Sequence, residues 1–353
     1  MLTPVPPRVG IPMTLPIKAN YRPMEAEPAT ELPKGPLWQY EPKWDGFRCL
    51  AFREGGRIQL QSKSQKPLAR YFPELVDSLA SLTAKSFVLD GEIVIPVDGH
   101  LCFDKLLMRI HPAASRIQKL SRETPCVFII FDLLVDDKGK SLVSLPLGKR
   151  RERLDAFMGR FGKANGAIKI SPVTNDAKEA VKWFHMGIGL DGIVAKRRDL
   201  PYQSGERTGM QKIKKQRTAD CVVGGFRYLE KKPLIGSLLL GLFNDSGLLD
   251  HVGFTSSLHE DERSALTKKV EGLIKPPGFT GKAPGGPSRW STKHSSEWQP
   301  LETVLVVEVQ FDHFTGGRFR HGTKFLRWRP EKSPRACTME QVRRENRSAL
   351  GLL

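Results

Sequence analysis

Cysteine is scarce in this sequence, and its distribution excludes two kinds of stabilised fold. Five cysteines are scattered through 353 residues, and no two of them form a C-x-x-C pair. An odd, scattered set predicts neither a zinc ribbon nor a framework of disulfide bonds. We therefore expect reduced thiols, as in a cytoplasmic protein, and cores built from the 39% of residues that are hydrophobic.

Long hydrophobic runs are also missing. No stretch approaches the roughly 20 consecutive apolar residues that a membrane-spanning helix needs. The start of the chain, MLTPVPPRVGIPMTLP, is interrupted by proline and lacks a basic segment followed by an apolar run, so it does not match a secretory signal. The sequence therefore predicts a cytoplasmic protein with no membrane partner.

Acidic residues are too few to balance the basic ones. The chain has 56 Lys and Arg against 38 Asp and Glu, which gives a formal net charge of +18. Such an excess favours a polyanionic partner, because each cation that approaches a phosphate releases a condensed counterion. Composition alone leaves a second interpretation open, namely a solvated basic surface without a partner.

Short apolar runs and turn signals organise the first part of the chain. Residues 1–36 are rich in proline and predict an extended N-terminal arm. The tripeptide EGG separates two strand-like runs, FRCLAFR and RIQLQS, and predicts a hairpin. In the run FVLDGEIVI, alternation places Asp90 and Glu92 on one face of a strand. The run CVFIIFDLL predicts a further strand.

Two helices are predicted after these strands. Residues 149–161 have apolar side chains at helical spacing, and so does the segment after Asn175, which we expect to cap its helix. In this second helix Ala177, Val181 and Phe184 fall on one stripe. Strands separated by helices, with hairpins between neighbouring strands, predict an α+β domain over residues 37–216.

A second domain is predicted over residues 219–335. It contains five strand-like runs, ADCVVGGF, LIGSLLLGLF, LLDHVGF, TVLVVEVQF and KFLRW, and one helical segment near residues 257–273. Five strands with one helix fit a small all-β Greek-key barrel of the OB type. Residues 336–353 remain as a basic C-terminal tail, and we expect a hinge between the domains near residues 216–218.

The run EPKWDGFR at residues 41–48 contains the pattern K-x-D-G-x-R, which begins at Lys43 and ends at Arg48. Lys43 follows a proline and precedes a strand, so we expect it at the entry of that strand, within reach of a pocket. A lysine attacks phosphorus only when it is neutral, so cations, a metal ion or desolvation must lower its pKa from about 10.4. On this motif alone, a lysine in a turn beside Asp-Gly stays an alternative.

Five further motifs follow in order: DGE ending at Glu92, FIIFD ending at Asp132, DGIVAK at 191–196, KIK at 212–214 and RPEK at 329–332. With the Lys43 element, this order resembles the covalent nucleotidyltransferase superfamily and, within it, the ATP-dependent DNA ligases. The resemblance extends over nearly the whole chain. It implies an α+β nucleotidyltransferase (adenylation) domain followed by an all-β OB-fold barrel.

The resemblance also implies a role for each matched residue. Lys43 would form a phosphoramidate with AMP, and Asp191, with Glu92, would hold Mg²⁺ or Mn²⁺, directly or through water. For the nucleoside of ATP, the resemblance implies that Glu41 binds the adenine amino group, Phe131 packs on the adenine face and Glu92 binds the ribose. For the phosphates, it implies that Lys212 and Lys214 contact the α-phosphate, that Lys196 contacts the triphosphate, and that Arg329 and Lys332 orient the leaving pyrophosphate. Arg48 would contact phosphate or the nick end.

Three positions depart from the family pattern. Asp191 stands where most relatives carry Glu, which favours a water-bridged metal ion. Glu331 stands where Asp is usual. Lys63 follows Ser62 where the family shows Ser-Arg, and a lysine lacks the bidentate fork with which arginine binds phosphate. We nevertheless expect Lys63 to contact the 5′-phosphate of the nucleic acid.

The end of the barrel region is basic. No acidic residue occurs between Gly316 and Pro330, and aromatic residues alternate there with four cations that we predict to bind nucleic acid: Arg318, Arg320, Lys324 and Arg327. For Phe325 and Trp328 two interpretations stay open, since they could form part of the nucleic-acid groove or pack in the core of the barrel.

The function implied is an ATP-dependent DNA ligase that joins a 5′-phosphate to a 3′-hydroxyl through lysyl-AMP and a DNA-adenylate. An RNA ligase or a GTP-using capping enzyme shares the Lys43 element, and a non-catalytic OB-type nucleic-acid-binding protein is the alternative outside the enzymes. The chain resembles small bacterial stand-alone ligases and the ligase module of bacterial end-joining enzymes. This implies a monomer at the nucleoid that acts in repair on nicked double-stranded DNA, with repair or end-joining proteins as further partners.

Overall fold

The computed structural model describes residues 14–162, 166–185, 190–214, 217–285, 297–342 and 349–352. The chain forms two compact units, of which the first comprises Met1–Lys214 with Glu345–Leu353 and the second comprises Lys215–Arg344. Each unit has its own hydrophobic core. No helix within the described segments is long and apolar enough to cross a membrane. All five cysteines are free thiols.

The described part of the first unit is α+β. Its strands are β1 Glu27–Ala29, β2 Trp38–Trp44, β3 Phe47–Glu54, β4 Arg57–Ser62, β5 Ser86–Val94, β6 Pro96–Val97, β7 His100–Leu101, β8 Val127–Val135, β9 Ile168–Ile170, β10 Leu190–Arg197 and β11 Met210–Lys214. Its α-helices are α1 Pro73–Ser81, α2 Phe103–Met108, α3 Ala114–Glu123, α4 Leu147–Phe161 and α5 Ala177–His185.

Two larger β-sheets form the framework of the first unit. One has the strand order β4-β3-β5-β8-β9, and the other has the order β1-β11-β10-β2. In β5, Phe87 and Leu89 join a core shared with α1 and α4, whereas Val88 joins a core on the opposite face of the sheet. This confirms the alternation predicted for FVLDGEIVI. The predicted hairpin is also confirmed, since β3 and β4 pair around Gly55, whose φ of 60° suits a glycine.

The N-terminal segment is more closely packed than the predicted arm. Leu15, Ile17 and Met24 are buried and join the core formed by β3, β5 and β8. Glu27–Ala29 forms β1, which pairs in parallel with β11. The proline in this strand is tolerated because β1 lies at the edge of its sheet. The proline-rich composition therefore concealed both a strand and three core residues.

The helix predicted after Asn175 is present as α5, but its cap and its buried stripe differ from the prediction. The carboxylate of Asp176 accepts a hydrogen bond from the backbone N–H of Lys178 at 2.8 Å, so Asp176 provides the cap. Ala180 and Trp183 are buried, whereas Val181 is exposed. The apolar residues at 177–184 cover more than one helical face, and only packing selects the buried one.

The second unit is an antiparallel barrel. Its strands are β12 Arg217–Leu229, β13 Lys232–Phe243, β14 Leu249–Thr255, β15 Gln299–Pro300, β16 Val306–Phe311, β17 Phe314–Thr315, β18 Arg318–Phe319 and β19 Lys324–Trp328, and its helix is α6 Arg263–Glu271. The strand order is β14-β13-β12-β16-β19. A bridge between Thr255 and Thr323 joins the two edge strands, with the Thr255 hydroxyl donating to the Thr323 carbonyl at 2.9 Å. All five predicted strand runs are confirmed.

The predicted C-terminal tail is partly packed. Cys337 and Val342 are buried in the core of the second unit. Residues Ala349–Leu352 form a short 3₁₀ helix in the first unit, where Leu352 packs against a core that contains Tyr40 and Trp183. The basic composition of this segment therefore did not indicate its apolar anchors.

One buried ion pair connects α4 to β8. Arg150 donates from Nε to Asp132 Oδ1 and from Nη2 to Asp132 Oδ2, each at 2.9 Å, and both residues are buried. Nη1 of Arg150 donates to the Leu145 carbonyl at 2.6 Å. Two charges inside a protein are tolerated only when their hydrogen bonds are nearly complete, as they are here.

We predict that Arg150→Met or Asp132→Asn lowers the free energy of unfolding by about 3–5 kcal/mol, because each leaves one polar or charged partner buried and unpaired. The double variant should lose less than the sum of the two single losses. Equilibrium urea unfolding of the full chain measures all three. A loss below about 1 kcal/mol in both single variants would contradict this role for the pair.

Candidate active site

A cavity of about 230 Å³ lies between the two larger sheets of the first unit. Strands of both sheets and the N-terminal segment at residues 23–26 contribute to its wall. Eight predicted site residues line it: Glu41, Lys43, Arg48, Lys63, Glu92, Phe131, Lys196 and Lys212. Residues up to 171 positions apart in the sequence are thus brought together by strand pairing.

Lys43 lies near the end of β2 rather than at the entry of a strand, and the turn to β3 follows it. Pro42 fits inside β2 because this strand is at the edge of its sheet. Lys43 pairs with Gly192 of β10, where the register shifts between Leu190 and Gly192. Such a bulge redirects a side chain, and here the Asp191 carboxylate contacts the Lys43 amine.

Lys212 and Lys214 lie on one face of β11, with Ile213 buried between them, as strand alternation predicts. The Lys214 amine is 3.7 Å from the Asp191 carboxylate. Burial, and then the charges of neighbouring lysines beginning with Lys43, lower the pKa of Lys212. The electrostatic potential is therefore strongly positive along this wall of the cavity, which suits a polyphosphate.

Glu41 and Lys196 form a buried ion pair beside Phe131. Lys196 Nζ donates to Glu41 Oε2 at 2.7 Å, and Gln39 Nε2 donates to Glu41 Oε1 at 3.0 Å. Lys196 Nζ also lies 4.3 Å from the centre of the Phe131 ring. Lys196 is therefore an enclosed cation held by Glu41 and the ring, whereas the sequence suggested an open contact with a triphosphate.

Arg48 is fixed by a carboxylate that the sequence placed on the same strand face as Glu92. Arg48 donates from Nε to Asp90 Oδ1 at 2.6 Å and from Nη2 to Asp90 Oδ2 at 2.7 Å. Its guanidinium carbon lies 4.4 Å from the centre of the Phe131 ring. Burial opposes the charged form of Arg48, but the Asp90 carboxylate outweighs it and raises the pKa of the guanidinium.

Glu92 lies on β5 beside the same cations. Burial raises its pKa to about 7, although the charges of Arg48 and Lys43 act in the opposite direction. Glu92 therefore changes protonation near neutral pH and can serve as either a hydrogen-bond donor or an acceptor.

A wider, open cleft of about 1190 Å³ adjoins this cavity. Glu25, Arg48, Lys63 and Glu92 line both spaces. Lys63 Nζ is 3.0 Å from Glu25 Oε2, and this hydrogen bond lowers the pKa of Glu25. Further cations of the cleft are Arg22, Lys66 and Arg70.

The predicted residues of the RPEK motif are in the second unit, and two of them share one carboxylate. Arg329 Nη1 is 2.8 Å from Asp220 Oδ1, and Lys332 Nζ is 3.5 Å from Asp220 Oδ2. Arg329 also donates from Nε to Glu331 at 2.5 Å. Glu331 thus has a local role in orienting Arg329.

The basic stretch that precedes this motif separates into core and surface. Phe319 is buried, and Phe314, Phe325 and Trp328 pack against the same core. Phe325 and Trp328 are only partly buried, so they pack against the core of the barrel while each keeps part of its side chain exposed. The four cations differ in exposure: Arg318, Lys324 and Arg327 are exposed, whereas Arg320 is half-buried. Arg327 also donates a hydrogen bond to the Glu308 carboxylate at 2.7 Å.

The acidic residues of the cavity are compatible with a magnesium ion. Within the described segments, no group of three or more His, Cys, Asp or Glu side chains converges on a metal position. Mg²⁺, however, commonly binds one or two carboxylates together with substrate phosphates and water. Glu92 lines the cavity and Asp191 contacts Lys43 beside it, so these two carboxylates are the residues that would hold such an ion.

Comparison with known proteins agrees with these features. Models described as "ATP dependent DNA ligase domain" and "ATP dependent DNA ligase C terminal region" match residues 23–214 and 231–332. DNA ligase C2 of Mycolicibacterium smegmatis is 40% identical over 349 residues, which cover 94% of this chain and 96% of the relative. The end-joining DNA repair protein LigD of Mycobacterium tuberculosis is 30% identical over 314 residues, which cover 87% of this chain and 38% of LigD.

A solved structure of a Lig E DNA ligase has a TM-score of 0.53 and 16% identity, and covers 86% of this chain and 99% of its own, which supports the fold alone. The chain belongs to the ATP-dependent DNA ligase family. The predicted family, the small bacterial type and the fold class are confirmed, with an adenylation domain followed by an OB-fold region. The protein is therefore an enzyme, an ATP-dependent DNA ligase.

Several residues in the wall of the cavity or directly behind it were not identified from the sequence as site residues. Met24 and Glu25 belong to the proline-rich N-terminal segment, which offered no pattern of its own. Asp90 was placed on the correct face, but its partner Arg48 lies on another strand. Tyr202 lies between β10 and β11, in a loop with no motif of its own, and hydrogen-bonds Asp90 at 2.7 Å.

Proposed function

We propose that Lys43 is the residue that carries AMP. Its amine would attack the α-phosphorus of ATP, forming a P–N bond while pyrophosphate leaves with the electrons of the broken P–O bond. A 5′-phosphate oxygen at a nick would then displace Lys43, and the 3′-hydroxyl would finally displace AMP. The observation that carries this proposal is the position of Lys43 on the wall of the cavity, among cations that suit phosphates.

The roles of the neighbouring residues follow from their positions. Lys212 and Lys214 would neutralise charge on the α-phosphate, and Arg48 would contact phosphate where the cavity meets the cleft. Phe131 would pack on the adenine, and the Glu41 carboxylate, which also lines the cavity, would accept from the adenine amino group. Glu92 would hydrogen-bond the ribose hydroxyl.

Asp191 and Glu92 would hold Mg²⁺ or Mn²⁺, which supplies charge neutralisation on the phosphates when bound. The carboxylate of Asp191 also orients the Lys43 amine, with which it is in contact. Its shorter side chain, compared with the Glu of most relatives, favours a water-bridged ion.

For the second unit we propose two successive tasks. Arg329 and Lys332 would orient the leaving pyrophosphate in the first step, and the exposed cations at 318–327 would bind the DNA backbone in the later ones. The junction between the two units, at residues 214–217, would act as the hinge; of the predicted hinge residues 216–218, residue 216 lies outside the described segments and the other two begin β12.

We propose nicked double-stranded DNA in repair as the physiological substrate. This is supported by the relatives, one of which is named a non-homologous end joining DNA repair protein. Lys63 and the other cations of the wide cleft would contact the DNA backbone there. End-joining proteins are the corresponding class of partner, with the ligase itself acting as a monomer.

Lys43→Ala should abolish the covalent label that the wild type acquires from α-labelled ATP and Mg²⁺, because the only attacking amine is removed. The same variant should still seal a nick that is already adenylylated, since that step no longer needs the lysine. Lys182→Ala, which removes an exposed lysine paired with Glu179, is the control. Label retained on the Lys43 variant would exclude this residue as the nucleophile.

Arg329→Ala should slow lysyl-AMP formation much more than sealing of a pre-adenylylated nick, because pyrophosphate leaves only in the first step. The two rates are measured separately under single-turnover conditions. Arg335→Ala removes an exposed arginine of the same unit that bonds the Gly247 carbonyl, and should leave both rates unchanged. Equal losses in the two steps would count against the two-task proposal.

Lys63→Ala should weaken binding of nicked duplex and reduce the slope of log K against log salt by about one, because one phosphate contact is lost. Lys63→Arg should retain or strengthen binding through its bidentate fork. Lys149→Ala is the control, as this exposed lysine pairs with Glu152 on α4. An unchanged salt slope in Lys63→Ala would place Lys63 outside the DNA contact.

A further inference from the structure

Tyr202 lies at the centre of a buried hydrogen-bond chain behind the active-site cavity. Its hydroxyl accepts from the Met24 backbone N–H at 2.9 Å and donates to Asp90 Oδ2 at 2.7 Å. Tyr202 and Asp90 are both buried. The chain thus connects the N-terminal segment to the carboxylate that holds Arg48.

The ring of Tyr202 is fixed on two sides. Tyr21 stacks against it with a centroid separation of 6.0 Å and an interplanar angle of 27°. The guanidinium carbon of Arg150 lies 5.4 Å from the ring centre, and Arg150 is itself held by the bidentate contact with Asp132. These contacts restrict the ring and therefore the position of the hydroxyl. The hydrogen bond from this hydroxyl in turn restricts the Asp90 carboxylate.

The far end of the chain is Arg48. The Asp90 carboxylate accepts hydrogen bonds from Nε and Nη2 of Arg48, and the guanidinium lies over the Phe131 ring. Among the described residues, Nη1 of Arg48 has no hydrogen-bond acceptor. Arg48 also lines both the active-site cavity and the wide cleft. One edge of the guanidinium is thus anchored, while the other remains available to a ligand phosphate.

We propose that Tyr202 is a positioning residue for the ligase reaction, which acts by fixing Asp90 and thereby directing Nη1 of Arg48 toward the phosphates. The proposal rests on the proposed contact of Arg48 with phosphate. Tyr202 itself touches no reacting atom. In this proposal its effect on the rate passes through Asp90 to Arg48, and that dependence on Arg48 distinguishes it from a residue that merely stabilises the fold or the Met24 wall of the cavity.

The protonation of Tyr202 supports the direction of these bonds. Burial, and then the charge of Asp90, raise the pKa of Tyr202 well above its ordinary value of 10. The hydroxyl therefore keeps its proton and remains a donor to Asp90 throughout the pH range in which the protein works. Bonds from a neutral donor to a carboxylate are among the stronger kinds in proteins.

Tyr202→Phe removes one oxygen and keeps the ring with its Tyr21 and Arg150 contacts. Asp90 loses a donor, and the Met24 N–H loses its acceptor, so the carboxylate and Arg48 gain freedom. We expect the reaction to slow about tenfold, the effect of losing one hydrogen bond to a charged group.

The test is a double-mutant cycle of Tyr202→Phe and Arg48→Ala in the full-length protein. Single-turnover rates are measured for lysyl-AMP formation at saturating ATP and for sealing of a 5′-phosphorylated nick. The step that Arg48→Ala slows more is used for the cycle. Tyr202→Phe should slow that step about tenfold in the wild-type background, and by less than about twofold when Arg48 is already absent.

Tyr40→Phe is the matched control. Tyr40 is a buried tyrosine of the same unit, and its hydroxyl donates to the Pro33 carbonyl at 2.6 Å, away from Asp90 and Arg48. It should leave the rate within about twofold of wild type. Asp90→Asn is a second, isosteric variant that should repeat the Tyr202→Phe pattern with a larger loss, and it keeps the test decisive if Tyr202→Phe does not fold.

The proposal is overturned if Tyr202→Phe retains the wild-type rate, if its loss is as large without Arg48 as with it, or if Arg48→Ala slows neither step. These outcomes are independent of the nucleophile, because labelling of Lys43 by ATP reports on the proposed function alone. A chain that labels normally but shows additive losses would keep Lys43 as the nucleophile and reduce Tyr202 to a structural residue.

Discussion

The active site of this ligase depends on cations whose carboxylate partners are buried where two sheets face each other. Charges inside a protein lose much of their hydration energy, and they are tolerated when a partner in close, often bidentate, contact replaces the lost water. Two such pairs contribute side chains to the cavity, Arg48 with Asp90 and Lys196 with Glu41, and a third, Arg150 with Asp132, packs on the ring of Tyr202. Their geometry fixes Arg48 and Lys196 on the wall of the cavity.

This arrangement explains how a strongly basic protein can concentrate positive charge without losing order. Lys43 and Lys214 share the Asp191 carboxylate, and Lys63 is held by Glu25. Each local partner limits the repulsion between neighbouring lysines while leaving the field of the cavity positive. A polyphosphate entering this field meets cations that are already oriented, which is the form of electrostatic stabilisation that is most effective in catalysis.

Much of the fold and of the site could be predicted, for identifiable reasons. The alternation of hydrophobic and polar residues predicted the strands, because strand geometry places successive side chains on opposite faces and this period of two is visible in the sequence. The motif residues were found because their order and spacing are specific as a set. Other features depended on packing: the choice of Ala180 and Trp183 over Val181 in α5, the enclosed position of Lys196, and the partial burial of Phe325 and Trp328 against the barrel core.

The sequence by itself determined the two-region architecture, the family and the candidates for the residues that bear the chemistry, because strand periodicity and short motifs are local properties of the chain. Only the tertiary structure decided which carboxylate holds which cation. Arg48 and Asp90 are 42 residues apart, and Tyr202 is 112 residues from Asp90. No local pattern encodes such partnerships, since they arise when the pairing of distant strands places particular side chains within hydrogen-bond distance.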